Sequence, residues 1–327
     1  MDTAPTTPPR IVFLDRATID PKVDLTRPHV PHCWQEHDRT APDQVVARLR
    51  GAQVAITNKV PITRATLDAL PDLRFVTIAA TGYDIVDLDA CREKGVTVSN
   101  VRGYAVGSVP EHTMALILAL ARGVVGYRRD VIAGDWQASG QFCFFNHDIR
   151  DLSGATLGLI GAGSIGASVA RLAEAFGMRV LQAERKGAAT LRPGKTAFDD
   201  VLARADVLTV HCPLTSETKG MIGDAEFAAM ARRPIVINVS RGGIVEEAAA
   251  VRAIEAGRIS GLGLDVLTTE PPAGDNPILR ICARPDVILT PHVAWASHNA
   301  MTALWDQVVA SIDGFLAGAP VRVLVGP

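Results

Sequence analysis

Short apolar runs recur along the chain, set apart by longer stretches whose apolar positions fall three or four residues apart. In the first third the runs are IVFLD (11–15), VAITN (54–58), FVTIAA (75–80) and VTVSN (96–100), with TRATLDAL (63–70) reading as a helix between two of them. A second series starts at 155: ATLGLI (155–160), RVLQA (179–183), VLTVH (207–211), IVINV (235–239), GLGLDV (261–266) and VILT (287–290). Runs of this length alternating with helical segments predict parallel sheets joined by crossover helices. Six strands are the count of a full dinucleotide fold.

Between the two series lies SVPEHTMALILALARGV, where Ser108 and Glu111 have capping-box spacing and Pro110 falls in the first turn, so a long apolar helix is expected to begin there. RGYAVG (102–107), with two glycines, suits a hinge just before it. At the other end, NAMTALWDQVVASIDGFLAG repeats Met301, Leu304, Val308 and Ile312 at helical spacing and ends on Gly318. That segment reads as a helix returning to the first domain. The expected organisation is α/β with two doubly wound domains: a flavodoxin-like domain formed by 1–103 and 297–327, and a Rossmann domain over 104–296.

Composition narrows the function classes. The chain has 327 residues, enough for two domains, with 48% hydrophobic and 21% charged positions, as in an ordinary globular protein. Its formal charge is -2 and no block of like charge stands out, so neither nucleic acid nor an anionic membrane is an expected partner. A small molecule is. Cysteines 33, 91, 143, 212 and 282 are odd in number and lack any CxxC pair, which argues against a disulfide framework or a metal site and for a reducing, cytoplasmic setting. MDTAPTTPPR reads as a disordered lead rather than a signal peptide, and MALILALA (114–121) is too short to span a bilayer.

GLIGAGSIG carries Gly161, Gly163 and Gly166 in GxGxxG spacing directly after a strand. Ile165, Val169, Leu172 and Phe176 follow on one helical face, with Gly177 at the C-cap position. Glycines are needed there for the tight turn, for the approach of a pyrophosphate and for helix packing, while the amides of Ser164 and Ile165 at the helix N-terminus supply phosphate donors. Glu184, at the end of the next strand, would accept from both adenosine ribose hydroxyls and repel a 2'-phosphate, which favours NAD. Arg185 and Lys186 follow it and could clasp such a phosphate, so NADP stays open as the lesser expectation.

Ligands of doubly wound sheets bind beyond the carboxyl ends of the strands. Arg241 follows IVINV, Glu270 follows GLGLDV and His292 follows VILT. In the usual strand order these three strands are neighbours, about 4.8 Å apart, so a guanidinium, a carboxylate and an imidazole can meet.

The chain resembles the D-isomer-specific 2-hydroxyacid dehydrogenases over nearly its whole length after the first ten residues. The matching motifs are TGYDIVDLDACREKGVTVSNV (81–101), SVPEHT, LGLIGAGSIG, VHCPLTSETKGMIG (210–223), INVSRGGIVEE (237–247), LDVLTTEPP and TPHVAWAS. The resemblance implies a catalytic set of Arg241, Glu270 and His292, the residues already reached from the strand ends. Reduction of a 2-keto acid needs a hydride from the nicotinamide, a proton for the alkoxide and a cation for the carboxylate. His292 is then the general acid/base, Arg241 the anchor for carboxylate and carbonyl oxygen, and Glu270 the partner of the imidazole. By the same resemblance, backbone N–H groups around Gly82, with Lys59 and Val60, bind the substrate carboxylate. Asp265 holds the nicotinamide carboxamide, and His211, Cys212, Pro213, Thr218, Val239 and Ser240 border the cofactor. Cys212 is expected to be a packed thiol rather than a nucleophile.

Two features point to a branch. Trp295 follows the histidine where many members carry small residues, and QFCFFNHDIRDLSG (141–154) resembles the glycerate dehydrogenase, or hydroxypyruvate reductase, branch, which implies a small polar substrate such as hydroxypyruvate or glyoxylate. Trp295 as a packing residue, and a phosphoglycerate or other D-2-hydroxyacid dehydrogenase, remain alternatives. Glu270 speaks against formate dehydrogenases, which carry glutamine there. The rival from another class is an NAD(H)-sensing, corepressor-like binding protein that keeps the same triad. The long helix from 108 and the arm at 125–150 are too apolar for a free surface, and by resemblance they build a homodimer.

Overall fold

The computed structural model describes residues 7–326. The lead read over residues 1–10 lies outside them at 1–6, and Arg10 already opens the first strand. The chain divides into two compact units, one of the described residues up to Tyr104 together with those from Ala296 on, the other Ala105–Trp295. The strands are β1 (Arg10–Phe13), β2 (Cys33–Glu36), β3 (Val54–Thr57), β4 (Phe75–Ile78), β5 (Thr97–Asn100), β6 (Thr156–Ile160), β7 (Arg179–Gln182), β8 (Val207–Val210), β9 (Ile235–Asn238), β10 (Gly261–Leu264), β11 (Val287–Leu289) and β12 (Val323–Val325). No helix among the described residues is long and apolar enough to cross a membrane.

In the first unit the sheet runs β12-β5-β4-β3-β1-β2, parallel throughout except for β12, which is antiparallel to β5. β3, β4 and β5 are buried at every position, and β3 (VAIT) and β4 (FVTI) accordingly read as nearly unbroken apolar runs. The predicted return helix is His298–Leu316, and Met301, Leu304, Val308 and Ile312 are all buried along it. Trp305 joins them, its ring 5.3 Å from Phe13 and its Nε1–H donating to Thr26 O at 2.8 Å. Two strands escaped the sequence pattern. β2 is an edge strand with no fully buried residue, and β12 is a three-residue edge strand with one.

In the second unit the order is β11-β10-β9-β8-β6-β7, all parallel. The six expected strands are all present, and one residue beyond them, Thr196, makes a lone parallel bridge to Ala183 on the outer side of β7. With that bridge as a vestigial third strand, the topology is that of a Rossmann sheet, and the order in which the parallel strands are laid down reverses between β6 and β8. The expected neighbours β9, β10 and β11 do lie side by side.

Two helix details differ from expectation. The Ser108–Ala121 helix has Gly107 at its N-cap position without side-chain capping, and Ser108 instead donates its hydroxyl to Ala294 O at 2.6 Å. The Ser164–Ala175 helix buries Gly166, Val169, Ala170 and Ala173, whereas Phe176 is exposed. Small residues take the sheet-facing stripe because the glycine turn draws this helix close to β6.

Candidate active site

The turn after β6 is built around steric limits. Gly161 has φ +92°, and a Cβ there would lie 2.5 Å from the His211 carbonyl group. A Cβ on Gly166 would lie 2.0 Å from Gly161 O. Neither can be substituted without moving backbone. Gly163 differs, since its Cβ would meet nothing within 4 Å and so faces open space. Gly163 also precedes the Ser164–Ala175 helix and gives it no side-chain cap, so the N–H groups of the first turn, Ser164 and Ile165 among them, stay available to an anion at the positive end of the dipole. The turn therefore fits a dinucleotide pyrophosphate.

Across the reversal point, β8 leads into His211, Cys212 and Pro213. His211 N donates to Ile160 O at 2.7 Å, which ties this loop to the glycine turn, and its Nε2 shares a hydrogen bond with Thr209 Oγ1 at 2.9 Å. Burial lowers its pKa to about 4, so the ring is neutral. Burial also pushes the Cys212 thiol up to about 11, a packed and unreactive state. Thr218 closes the loop by donating to Pro213 O at 2.7 Å and accepting from Thr215 N at 2.8 Å.

Glu184 stands just past β7, but its surroundings are not those expected from the sequence. Its carboxylate accepts from the N–H groups of Arg185 (2.8 Å) and Arg192 (3.1 Å) and from the Arg192 guanidinium through Nε (2.8 Å) and Nη2 (2.5 Å). The Arg192 side chain first, then those backbone amides, hold it down to about 2. Lys186 is turned to Glu226, at 2.7 Å, and to Met221 O.

The loops beyond β9, β10 and β11 interlock. Asn238 ends β9 almost fully buried; its Oδ1 accepts from Ser240 N and Oγ, and its Nδ2 donates to Arg241 O at 2.8 Å, bending the chain through half-exposed Ser240 and Arg241 while Val239 stays buried. Arg241 commits one guanidinium N–H to Ser240 O at 2.7 Å. The next residue explains how this loop meets its neighbour: a Cβ on Gly242 would lie 1.9 Å from Leu267 O, so only glycine lets the two backbones touch. Leu267 N in turn donates to Glu270 Oε1 at 2.9 Å, and Glu270 Oε2 accepts from His292 Nδ1 at 2.5 Å. Because an ionised carboxylate can only accept, Nδ1 carries the proton and Nε2 is left to face a reactant.

His292 has φ +55°, a left-handed conformation unusual for a side chain of its size. Asp265 maintains it. The Asp265 carbonyl accepts from His292 N at 2.8 Å, and its fully buried carboxylate accepts from Val293 N and Ala294 N at 2.9 Å each and from Thr290 Oγ1 at 2.5 Å. Thr290 Oγ1 accepts from His112 Nε2 at 3.0 Å, which adds a polar brace from the Ser108–Ala121 helix. Three of about four acceptor positions on Asp265 are thus occupied. Trp295, half-buried, follows directly.

In the first unit, Lys59 and Val60 follow β3 and Gly82 follows β4, its parallel neighbour. The buried carboxylate of Asp15, beyond β1, accepts from the N–H groups of Asn58, Lys59 (2.6 Å) and Val60 (3.3 Å) and fixes that loop. Burial raises the Asp15 pKa, an effect the three N–H groups oppose. Asn100 Nδ2 donates to Thr81 O at 2.7 Å, and Thr81 Oγ1 donates to Val101 O at 3.0 Å, holding the turn beside Gly82. Sequence reading missed Asp15, Asn238, Arg192 and the His112–Thr290 brace. For Asp15 and Asn238 the available signal was a polar residue ending an apolar strand.

The model of the D-isomer specific 2-hydroxyacid dehydrogenase NAD-binding domain matches residues 114–294. The chain is 45% identical over 316 residues to a glycerate dehydrogenase of Methylorubrum extorquens, covering 96% of this chain and 98% of that one. It is 35% identical over 294 residues to a hydroxypyruvate reductase of Blautia hydrogenotrophica, covering 88% and 90%. Among solved structures, a D-lactate dehydrogenase of Aquifex aeolicus, complexed with NAD and lactic acid, superimposes with a TM-score of 0.79 at 27% identity over 97% of this chain and 99% of that one. The glycine turn and the carboxylate-imidazole pair both lie within the matched span, and the chain belongs to the D-isomer-specific 2-hydroxyacid dehydrogenases.

Proposed function

We propose that the protein reduces a small 2-keto acid to its D-2-hydroxy acid, hydroxypyruvate to glycerate or glyoxylate to glycolate, and catalyses the reverse oxidation. The observation that carries this reading is the 2.5 Å pair of His292 Nδ1 and Glu270 Oε2 at the carboxyl ends of adjacent strands. When bound, NADH supplies the hydride. The Gly161–Gly166 turn, with the amides of Ser164 and Ile165, holds the pyrophosphate; His211, Cys212, Pro213, Thr218, Val239 and Ser240 line the dinucleotide, and Asp265 meets the carboxamide.

His292 delivers the proton from Nε2 to the developing alkoxide, while Glu270 orients the ring and stabilises the imidazolium left when the reaction runs toward oxidation. Arg241 retains most of its guanidinium donors for the substrate carboxylate and carbonyl oxygen. Backbone amides around Gly82, with Lys59 and Val60, are assigned to carboxylate recognition, and Trp295 to limiting pocket volume. The unit containing 105–295 serves as the dinucleotide domain and the other as the substrate domain.

The same reading includes a homodimer and a reducing cytoplasm. Val124, Val125, Ile132, Trp136, Phe142 and Phe145 are exposed along the arm, Phe142 by 92% and Phe145 by 81%, an apolar surface suited to a second copy. Cysteines 33, 91, 143, 212 and 282 are unpaired. The test of the activity is NADH oxidation with hydroxypyruvate, glyoxylate, pyruvate and phenylpyruvate. Turnover strongest with the first two is expected; tight NADH binding without turnover of any of them overturns the proposal.

A further inference from the structure

The acid expected to read the adenosine ribose is already engaged. Glu184 is 4% exposed at its side chain, and Arg192, 59% exposed, lies over it in a two-pronged contact. Four N–H groups reach its two oxygens: the backbone amides of Arg185 and Arg192, and Nε and Nη2 of Arg192. A carboxylate offers about four acceptor positions, so none is left for two ribose hydroxyls. The same contact balances the charge that would repel a 2'-phosphate. Arg192 keeps its Nη1 donors and one Nη2 donor for a further anion, and Arg185 beside it is exposed, whereas Lys186 is engaged by Glu226.

We propose that Arg192 sets dinucleotide selectivity: by occupying Glu184 it removes the group that selects an unphosphorylated ribose, and it offers its remaining N–H donors to a 2'-phosphate, so the site accepts NADP(H) as well as NAD(H), within about tenfold in affinity. This rests on the reading of the Gly161–Gly166 turn as a dinucleotide site. Glu184 thereby becomes a support for Arg192 rather than a ribose ligand. The loop residue, eight positions beyond the acid, is the discriminating one.

The test is calorimetric titration of the full chain with ADP-ribose and with 2'-phospho-ADP-ribose, fragments that report the adenosine end without turnover. The quantity read is the dissociation constant of the phosphorylated fragment divided by that of the other. Wild type is expected to give a ratio no greater than about ten, and R192Q a ratio at least tenfold above wild type, because the freed Glu184 carboxylate then repels the phosphate and binds the ribose. E184Q, which has no carboxylate to free, is expected not to raise the ratio. A wild-type ratio above ten, a smaller rise in R192Q, or a tenfold rise in E184Q overturns the assignment of Arg192 while leaving the dinucleotide site intact. Binding of neither fragment to wild type overturns both. Arg192 is exposed and outside any helix or strand, so its replacement leaves the core untouched.

Discussion

Replacing Asp265 with asparagine tests how the imidazole is held. The buried carboxylate accepts from Val293 N, Ala294 N and Thr290 Oγ1, and these bonds keep His292 in a left-handed conformation that costs an L-residue about 1–2 kcal/mol. An amide has only one acceptor oxygen, so even with that oxygen kept toward Val293 N and Thr290 Oγ1, Ala294 N loses its acceptor and faces the new NH2 group, while the two remaining bonds lose their charged acceptor. With hydrogen bonds to a charged group at about 1.5–3 kcal/mol each, the loss is about 3 kcal/mol, or roughly 6–12 °C in melting temperature for a domain of this size. The catalytic cost is separate, since a displacement of about 1 Å at a reacting group lowers turnover about a hundredfold. The assay is kcat for hydroxypyruvate reduction at saturating NADH, beside a thermal melt. A variant that melts lower but turns over at the wild-type rate would show that His292 does not depend on Asp265, and the positioning argument would fail.

Three further outcomes are expected. Gly242→Ala puts a methyl group 1.9 Å from Leu267 O, so the loops bearing Arg241 and Glu270 must separate; kcat/KM for the keto acid should fall by at least about tenfold, with NADH affinity less affected, as steady-state kinetics will report. His211 has its pKa lowered from 6.5 to about 4, so the unfolded chain takes up a proton first on acidification, and stability is lost as pH falls from about 6.5 to 4; urea unfolding at pH 7 and 4.5 should show this loss, at most about 3 kcal/mol, diminished in His211→Gln. If the proposed homodimer forms through the arm, wild type should sediment as a dimer in analytical ultracentrifugation and Phe142→Asp together with Phe145→Asp as a monomer; a monomeric wild type, or an unchanged sedimentation coefficient in the variant, would count against the arm as an interface.

Strands buried on both faces were legible because they leave nothing but apolar or small residues over four positions, as in VAIT of β3 and TLGLI of β6. β2 and β12 were not, because an edge strand needs no such run. Arg241, Glu270 and His292 stood out as polar residues directly past buried strands, a place where chain direction alone fixes the location. The state of Glu184 could not be read that way, since it depends on a loop folding Arg192 back over eight residues, and nothing in local spacing encodes that return. Ser108 shows the same limit: capping-box spacing was present, but a distant carbonyl, Ala294 O, competed for the hydroxyl and took it. Local pattern fixes where a side chain starts, and tertiary partners decide what it holds.

The most direct measurement is the turnover of hydroxypyruvate by His292→Ala at saturating NADH, with NADH affinity followed by nucleotide fluorescence. A positioned acid is worth roughly a hundred- to ten-thousand-fold, so kcat is expected to fall by that factor while the NADH dissociation constant stays within about threefold of wild type. Turnover at the wild-type rate would contradict the assignment of His292 as the proton donor.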